Sequence, residues 1–406
     1  MAASFEFESL LSAEGRRVAR GGSMVAAAAA PRVRANLLVG QPAEEALPLA
    51  ELVEAARQAL PDNPRALLYG RRQGAAELIA VVQAKLRRYE GLDVAPERLA
   101  ITNGSSQAVD LVLRAFVDPD APMALDEFSF GALLVADRTR RAQHVPWDAD
   151  GPKLQDLERL TAEPSTRPRL LYTIPTFQNP MGCTMSLRRR REVLALCRAR
   201  RIPILEDDAY YDLRFEGERV PSLYELDGGT GLVTRTGTFS KILGAGIRLG
   251  WLCTSPELAR RLADMKPDGG TSPFSSAIAS VFMDTHMEAQ IARLQALYRA
   301  KRDAMLQALA ERMTPYARWI RPAGGFFVWL TLNEPGLAEP VVKRCREAGV
   351  LMREGSAFRA DGANFGGIRL CFSQATTDEI NDGIAVLAAV TAELASERAS
   401  AGTLRS

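Results

Sequence analysis

Histidine is nearly missing from this chain: His144 and His286 are the only two in 406 residues, far apart in sequence. A serine-hydrolase triad or a histidine-rich metal centre is therefore poorly supplied, and either histidine reads as a packed or surface residue. Cysteine is also sparse, with Cys183, Cys197, Cys253, Cys345 and Cys371 forming no close pair. This excludes a disulfide framework and a zinc ribbon, and it suggests reduced thiols in a cytoplasmic protein with no metal site. A formal net charge of +2 gives no field to draw nucleic acid or an anionic membrane. No stretch approaches the roughly 20 apolar residues of a membrane span. The segment "GRRVARGGSMVAAAAAP" (15–31) pairs arginines with an alanine run, like a weak twin-arginine signal. The run is short, alanine is barely apolar and an acidic "FEFES" precedes it, so export is the disfavoured reading.

What is present describes a globular protein, 47% apolar and 25% charged, long enough for two packed units and a large core. Short β-type runs recur from about residue 98: "RLAIT", "APMALDE", "AQHVPW", "RLLYTI", "IPILED", "LVTRTGT" and "RLGWLCT". Helical segments lie between several of them, such as "SSQAVDLVLRAFVD", with Val109, Val112, Leu113 and Phe116 along one side. The alternation predicts an α/β fold with a mostly parallel sheet covered by helices. Phe274 to Thr314 holds neither glycine nor proline, which predicts long helical structure with a break near "DTHM". The strand and helix signals beyond it read as a smaller α+β domain. Four arginines at 188–191 sit on a predicted helix, where consecutive side chains diverge, so they read as a solvated face and not a nucleic-acid patch.

In open α/β sheets ligands bind beyond the carboxyl ends of the strands, so the residues following each strand carry the information. "NGSSQ" (103–107) opens a helix, where glycine, first-turn amides and two hydroxyls suit a phosphate, although a plain serine cap would look the same. "TFQNPMG" presents Asn179, and "ILEDDAYYD" presents Asp207 followed by Tyr210. "GTFSKILGAGIRLG" (237–250) packs Thr238, Ser240 and Lys241 close to Arg248. An amine that can form a Schiff base, a carboxylate that can keep a ring nitrogen protonated and a phosphate cradle together are the fittings for pyridoxal 5′-phosphate.

These motifs, together with "VGQP", "LLYGRRQG", "PAGGFFVW" and "GIRLCFS" in the same order, make the chain resemble the fold-type I, class I/II aminotransferases that use pyridoxal 5′-phosphate. The likeness is to the branch holding aminoadipate and kynurenine aminotransferases and the aminotransferase-like domain of certain bacterial regulators. It implies a seven-stranded, mostly parallel sheet in a large cofactor-binding domain over 61–310. An N-terminal arm and helix over 1–60 and a C-terminal small domain over 311–406 complete that layout. It makes Lys241 the Schiff-base lysine and proton shuttle, pairs Asp207 with the pyridine nitrogen, and gives Asn179 and Tyr210 the ring oxygen. Ser105, Ser106, Thr238 and Arg248 would bind phosphate, joined by Tyr69 from the second subunit of a homodimer with shared active sites. Phe130 would stack on the ring, Arg369 would grip the substrate carboxylate and Gly40 would line the substrate side.

Arg353 and Glu354 stand where that branch usually has an apolar residue and proline. Arg353 reads either as part of a solvent-exposed ion pair or as a contact to a distal group of the substrate. Transfer of an amino group from an amino acid to a 2-oxo acid is the expected reaction. The same cofactor and fold also serve β- or γ-elimination, replacement, cyclisation and carbon–carbon bond formation, some on adenosylmethionine. A non-enzymatic ligand sensor is the third reading, disfavoured because about 35 residues before "NLLVGQP" are too few for a winged helix-turn-helix.

Overall fold

A computed structural model describes residues 33–130 and 141–403. The arginine–alanine segment near the N-terminus lies outside them. The chain begins with β1 (Ala35–Asn36), α1 (Leu49–Ala59) and α2 (Ala76–Glu90). It continues through β2 (Leu99–Thr102), α3 (Gly104–Phe116), β3 (Met123–Asp126), β4 (Ala142–Val145) and a hairpin of β5 (Trp147–Asp148) and β6 (Gly151–Pro152). Then follow α4 (Leu154–Ala162), β7 (Leu171–Thr173), α5 (Leu187–Arg200), β8 (Ile204–Asp207), α6 (Leu223–Asp227), β9 (Val233–Thr238) and β10 (Gly250–Cys253). Helix α7 (Pro256–Asp264) leads to α8 (Pro273–Arg312). The remainder is β11 (Ala317–Trp319), β12 (Phe327–Leu332), α9 (Ala338–Glu347), β13 (Val350–Leu351), β14 (Arg353–Glu354), β15 (Gly367–Cys371) and α10 (Thr377–Thr403).

Seven strands form the main sheet in the order β2-β10-β9-β8-β7-β3-β4. Only β10 runs against its neighbours; every other pairing is parallel. Its central strands β3, β7, β8 and β9 are buried along their whole length, which is why β3, β7 and β8 show no polar alternation, whereas β9 (VTRTGT) buries a mostly polar run. A second, antiparallel sheet has the order β11-β12-β15-β14. The N-terminal arm joins that side of the molecule, since β1 pairs in parallel with β13. Beyond β1 the arm is strapped over β15, with Leu37 O accepting from the Cys371 amide at 2.9 Å and Gln41 O accepting from the Ser373 hydroxyl at 2.5 Å. No helix among the described residues is long and apolar enough to cross a membrane.

Two expectations need correction. Helix α8 runs unbroken for 40 residues, through Asp284–Met287. There the Thr285 hydroxyl donates to Val281 O at 2.8 Å, and the His286 ring packs on Phe282 with centroids 5.4 Å apart, so the polar segment is accommodated within the turn. The arginine run is split instead of solvated. Arg188 and Arg191 are exposed, whereas Arg189 and Arg190 are buried. Arg190 donates to the backbone oxygens of Met185, Pro175 and Pro221 and to Thr176 Oγ1. It thereby ties the loop after β7 to the start of α5.

Candidate active site

The parallel strands end at the edge of the sheet where β10 begins, and strand pairing alone assembles the first part of the site. Gly250 lies opposite Thr102 on one side and Thr238 on the other. The loop after β2, the end of β9 and Arg248 just before β10 therefore converge. Gly250 admits no side chain, because a Cβ would stand 2.6 Å from the Gly104 carbonyl carbon. Gly104 has φ +72°, and a Cβ there would stand 2.9 Å from Arg248 Nη2. Ser105 and Ser106 occupy the first turn of α3, whose N-cap Asn103 provides no side-chain cap. The first amides of α3 and the positive end of its dipole thus face the hollow beside Arg248. Arg248 itself is held at φ +53°, a costly conformation for a side-chain-bearing residue, with its guanidinium donating to Ala245 O and Asn103 O at 3.3 Å each. The Thr238 hydroxyl donates to Ser240 Oγ at 2.9 Å and accepts from the Ser240 amide at 3.1 Å.

Next along the same edge, β8 delivers Asp207. The phenol of Tyr172, on adjacent β7, donates to Asp207 Oδ2 at 2.7 Å, while Oδ1 is buried without a partner. Burial is the chief reason that the Asp207 pKa rises to about 6, with the Tyr172 bond and Lys241 opposing it and Asp208 adding to it. Lys241 follows β9 and turns its Nζ to Gly40 O at 2.8 Å. The ammonium stands 5.4 Å from the Tyr210 ring centre and 5.5 Å from that of Phe326. Desolvation dominates there and draws the lysine pKa down to about 8. Asn179 Nδ2 donates to Tyr210 Oη at 3.5 Å, and Asn179 O accepts from the Phe130 amide at 2.9 Å. Burial pushes the Tyr210 phenol well above its ordinary range, so it remains a hydrogen-bond donor.

The opposite wall comes from the second sheet. Arg369 on β15 donates to Asn179 Oδ1 at 3.1 Å and to Leu38 O at 2.6 Å. Its guanidinium lies 4.4 Å from the Phe327 ring centre and 4.8 Å from that of Phe358. Arg353 on β14 pairs directly across from it.

One cleft of about 260 Å³ joins these walls. Gly40, Ser105, Ser106, Phe130, Asn179 and Asp207 line it, and so do Tyr210, Thr238, Lys241, Arg248, Arg353 and Arg369. Tyr69 does not; it is 94% exposed and belongs to a separate groove between α2 and α8. Sequence reading missed Tyr172 and the aromatic pair Phe327 and Phe358. Tyr172 and Ile174 share a strand parity in "LYTI", and Ile174 also lines the cleft, so the period-two rule could have found the tyrosine. Nothing in the sequence marks Phe327 and Phe358 as partners of one guanidinium.

Pyridoxal 5′-phosphate fits this donor set. The unpartnered Oδ1 of Asp207 suits a protonated ring nitrogen. The part of the cleft lined by Ser105, Ser106, Thr238 and Arg248, at the start of α3, suits a phosphate. Lys241 lines the same cleft.

Comparison with known proteins agrees with this geometry. The family model described as aminotransferase class I and II matches residues 34–387. The chain is 34% identical over 352 residues to a 2-aminoadipate transaminase of Thermus thermophilus, covering 85% of this chain and 87% of the relative. It is 33% identical over 366 residues to an aromatic-amino-acid aminotransferase of Thermococcus litoralis, covering 87% of each. Among solved structures, the α-aminoadipate aminotransferase LysN of T. thermophilus, complexed with N-(5′-phosphopyridoxyl)-L-leucine, superposes with a TM-score of 0.87. That match has 31% identity and covers 97% of this chain and 100% of that one.

Proposed function

This chain belongs to the class I and II aminotransferases and is a pyridoxal 5′-phosphate-dependent enzyme, and from that premise we propose how its residues divide the work of moving an amino group from an amino acid to a 2-oxo acid. When bound, the cofactor supplies an aldehyde for the amino group and a ring that accepts the electron pair left at the α-carbon. Lys241 Nζ is the amine that would hold the cofactor covalently through its aldehyde carbon, with loss of water, and that would carry the proton from the substrate α-carbon when free. Its lowered pKa of about 8 leaves about a tenth of the amine unprotonated at pH 7, against roughly three in ten thousand for an ordinary lysine.

Asp207, with Oδ2 occupied by Tyr172 and Oδ1 free, would hold the ring nitrogen and keep it protonated. Tyr210 and Asn179 would hold the ring oxygen, and Phe130 would cover the ring face. Ser105, Ser106, Thr238, Arg248 and the first amides of α3 take the phosphate through charge-assisted bonds. Arg369, held between two aromatic rings, fixes the α-carboxylate. Residues 61–310 form the cofactor-binding unit, with the arm and residues 311–406 supplying the substrate side.

The enzyme works as a homodimer in which Tyr69 reaches the partner's phosphate. The exposure of Tyr69 beside Leu67 (79%) and Leu68 (64%) supports this reading. Five free thiols support a cytoplasmic setting.

The observation that carries the assignment is Asp207 Oδ1, buried and unpartnered, on the cleft that also holds the burial-shifted Lys241. Borohydride reduction of the cofactor-loaded protein followed by peptide mapping tests it. The reduced cofactor adduct should map to Lys241 and vanish in Lys241→Ala, which should also lose amino transfer by several orders of magnitude. An adduct on another lysine would overturn the assignment.

A further inference from the structure

We propose that Arg353 is a second anion subsite of the cleft, so that the preferred amino donor bears a carboxylate at the far end of its side chain. The inference rests on the aminotransferase reading above. Antiparallel pairing of β14 with β15 places Arg353 directly opposite Arg369. Residues so paired share one face of a sheet with Cβ atoms about 5 Å apart, and like charges there repel. Both arginines line the same cleft. Arg369 has its two outer nitrogens engaged by Asn179 and Leu38. Both arginines bury an Nε without a partner, but Arg353 differs in that its whole guanidinium makes no hydrogen bond or ion pair with any described residue. The neighbouring Glu354 lies opposite Ile368, and successive strand residues point to opposite faces, so Glu354 is not the counter-charge.

Assigning a partner to each charged group of the cleft leads to the same place. Among the described residues lining the cleft, Lys241, Arg248, Arg353 and Arg369 are cationic, and Asp207 alone is anionic. On the proposed assignment Arg248 would hold the cofactor phosphate, Asp207 the ring nitrogen and Arg369 the α-carboxylate common to all amino acids. Arg353 is left over. A guanidinium does not relieve its burial by losing a proton, so a half-buried one facing an equal charge calls for an anion. An amino acid with a side-chain carboxylate, and the dicarboxylic oxo acid it becomes, would supply that anion between the two strands.

The test compares matched substrates in the first half-reaction of the cofactor-loaded enzyme, followed by loss of the cofactor's visible absorption. L-Glutamate is set against L-norvaline, and L-2-aminoadipate against L-norleucine. Calorimetric binding of glutarate against butanoate is measured in parallel, which reads the subsite without turnover. The parent enzyme should prefer the diacids. Arg353→Gln should lower the diacid-to-neutral ratio of kcat/KM on the order of a hundredfold. It should also weaken glutarate by a similar factor to the diacids, and Arg353→Lys should recover part of both losses. A parent that prefers the neutral chains, or a variant that loses both series equally, would overturn the proposal. Conversion of no amino acid, with glutarate binding still dependent on Arg353, would instead reject the aminotransferase reading and keep the anion subsite.

Discussion

At the scale of single residues, Asp207 shows function and stability opposed. Its pKa rises from 3.8 to about 6 on folding, chiefly through burial. Between those values the folded protein retains a proton that the unfolded chain has released, so cofactor-free stability falls as pH rises through the window. Above pH 6 the whole cost remains. Asp207→Asn keeps an acceptor for the Tyr172 phenol and removes the charge. Cofactor-free Asp207→Asn should therefore be more stable than the parent at pH 8, by about 1–3 kcal/mol from a shift near two units. The difference should narrow as pH approaches 4, and the variant should hold the cofactor less tightly. Urea denaturation at both pH values checks this; a stability gain independent of pH would show that the carboxylate charge is not its source. Asp207 could be picked out in the sequence because a carboxylate ending an apolar strand is conspicuous. Tyr172 carries only the weaker signal of sharing strand parity with Ile174, and its role emerges once its hydroxyl is seen 2.7 Å from that carboxylate.

At the scale of elements, the proposed phosphate site lies at the start of α3, and Gly104 is the position where its backbone meets the Arg248 guanidinium. Its φ of +72° disfavours any other residue, and an added Cβ would press on Arg248 at 2.9 Å. Gly104→Ala should cost about 1–2 kcal/mol of stability and weaken cofactor binding roughly tenfold or more, an effect that follows from displacing a charge-assisted phosphate contact. Equilibrium dialysis against pyridoxal 5′-phosphate measures the second effect, and an unchanged affinity would remove the phosphate from this helix end. Element types were legible along the chain because burial on both faces leaves an apolar run and exposed helices leave a periodic one. The two misreadings share a cause. Polarity at "DTHM" and charge at 188–191 suggest solvent, yet Thr285 finds a carbonyl one turn back and Arg190 finds carbonyls and a hydroxyl from the loops around it. A polar side chain that finds its partners inside the protein looks the same in sequence as one that faces water.

At the scale of the whole molecule, Leu67, Leu68 and Tyr69 are three consecutive exposed residues and Leu49 is exposed at 72%, an apolar surface that the proposed homodimer would cover. Sedimentation equilibrium with cofactor bound should give twice the chain mass. If Leu68 is covered in the proposed homodimer, Leu68→Glu should shift the protein to monomer and lower amino transfer at least tenfold, because burying a charge in an apolar contact costs several kcal/mol. A stable monomer with full activity would contradict shared active sites.

The sequence by itself determined the chemistry on offer: a lysine among hydroxyls, a carboxylate after an apolar strand, glycine and serines opening a helix, and two arginines with no surplus of acid nearby. These are local facts, set by which residues follow which strand, and the wound sheet then gathers strand ends whatever lies between them. The tertiary structure decided which of those groups are left wanting a partner. Only the register of β14 against β15 sets Arg353 across from Arg369, and only the packing of β7 against β8 occupies one oxygen of Asp207 and leaves the other free. Pairing, burial and the absence of a counter-charge are properties of neighbours distant in sequence, and no local pattern encodes them.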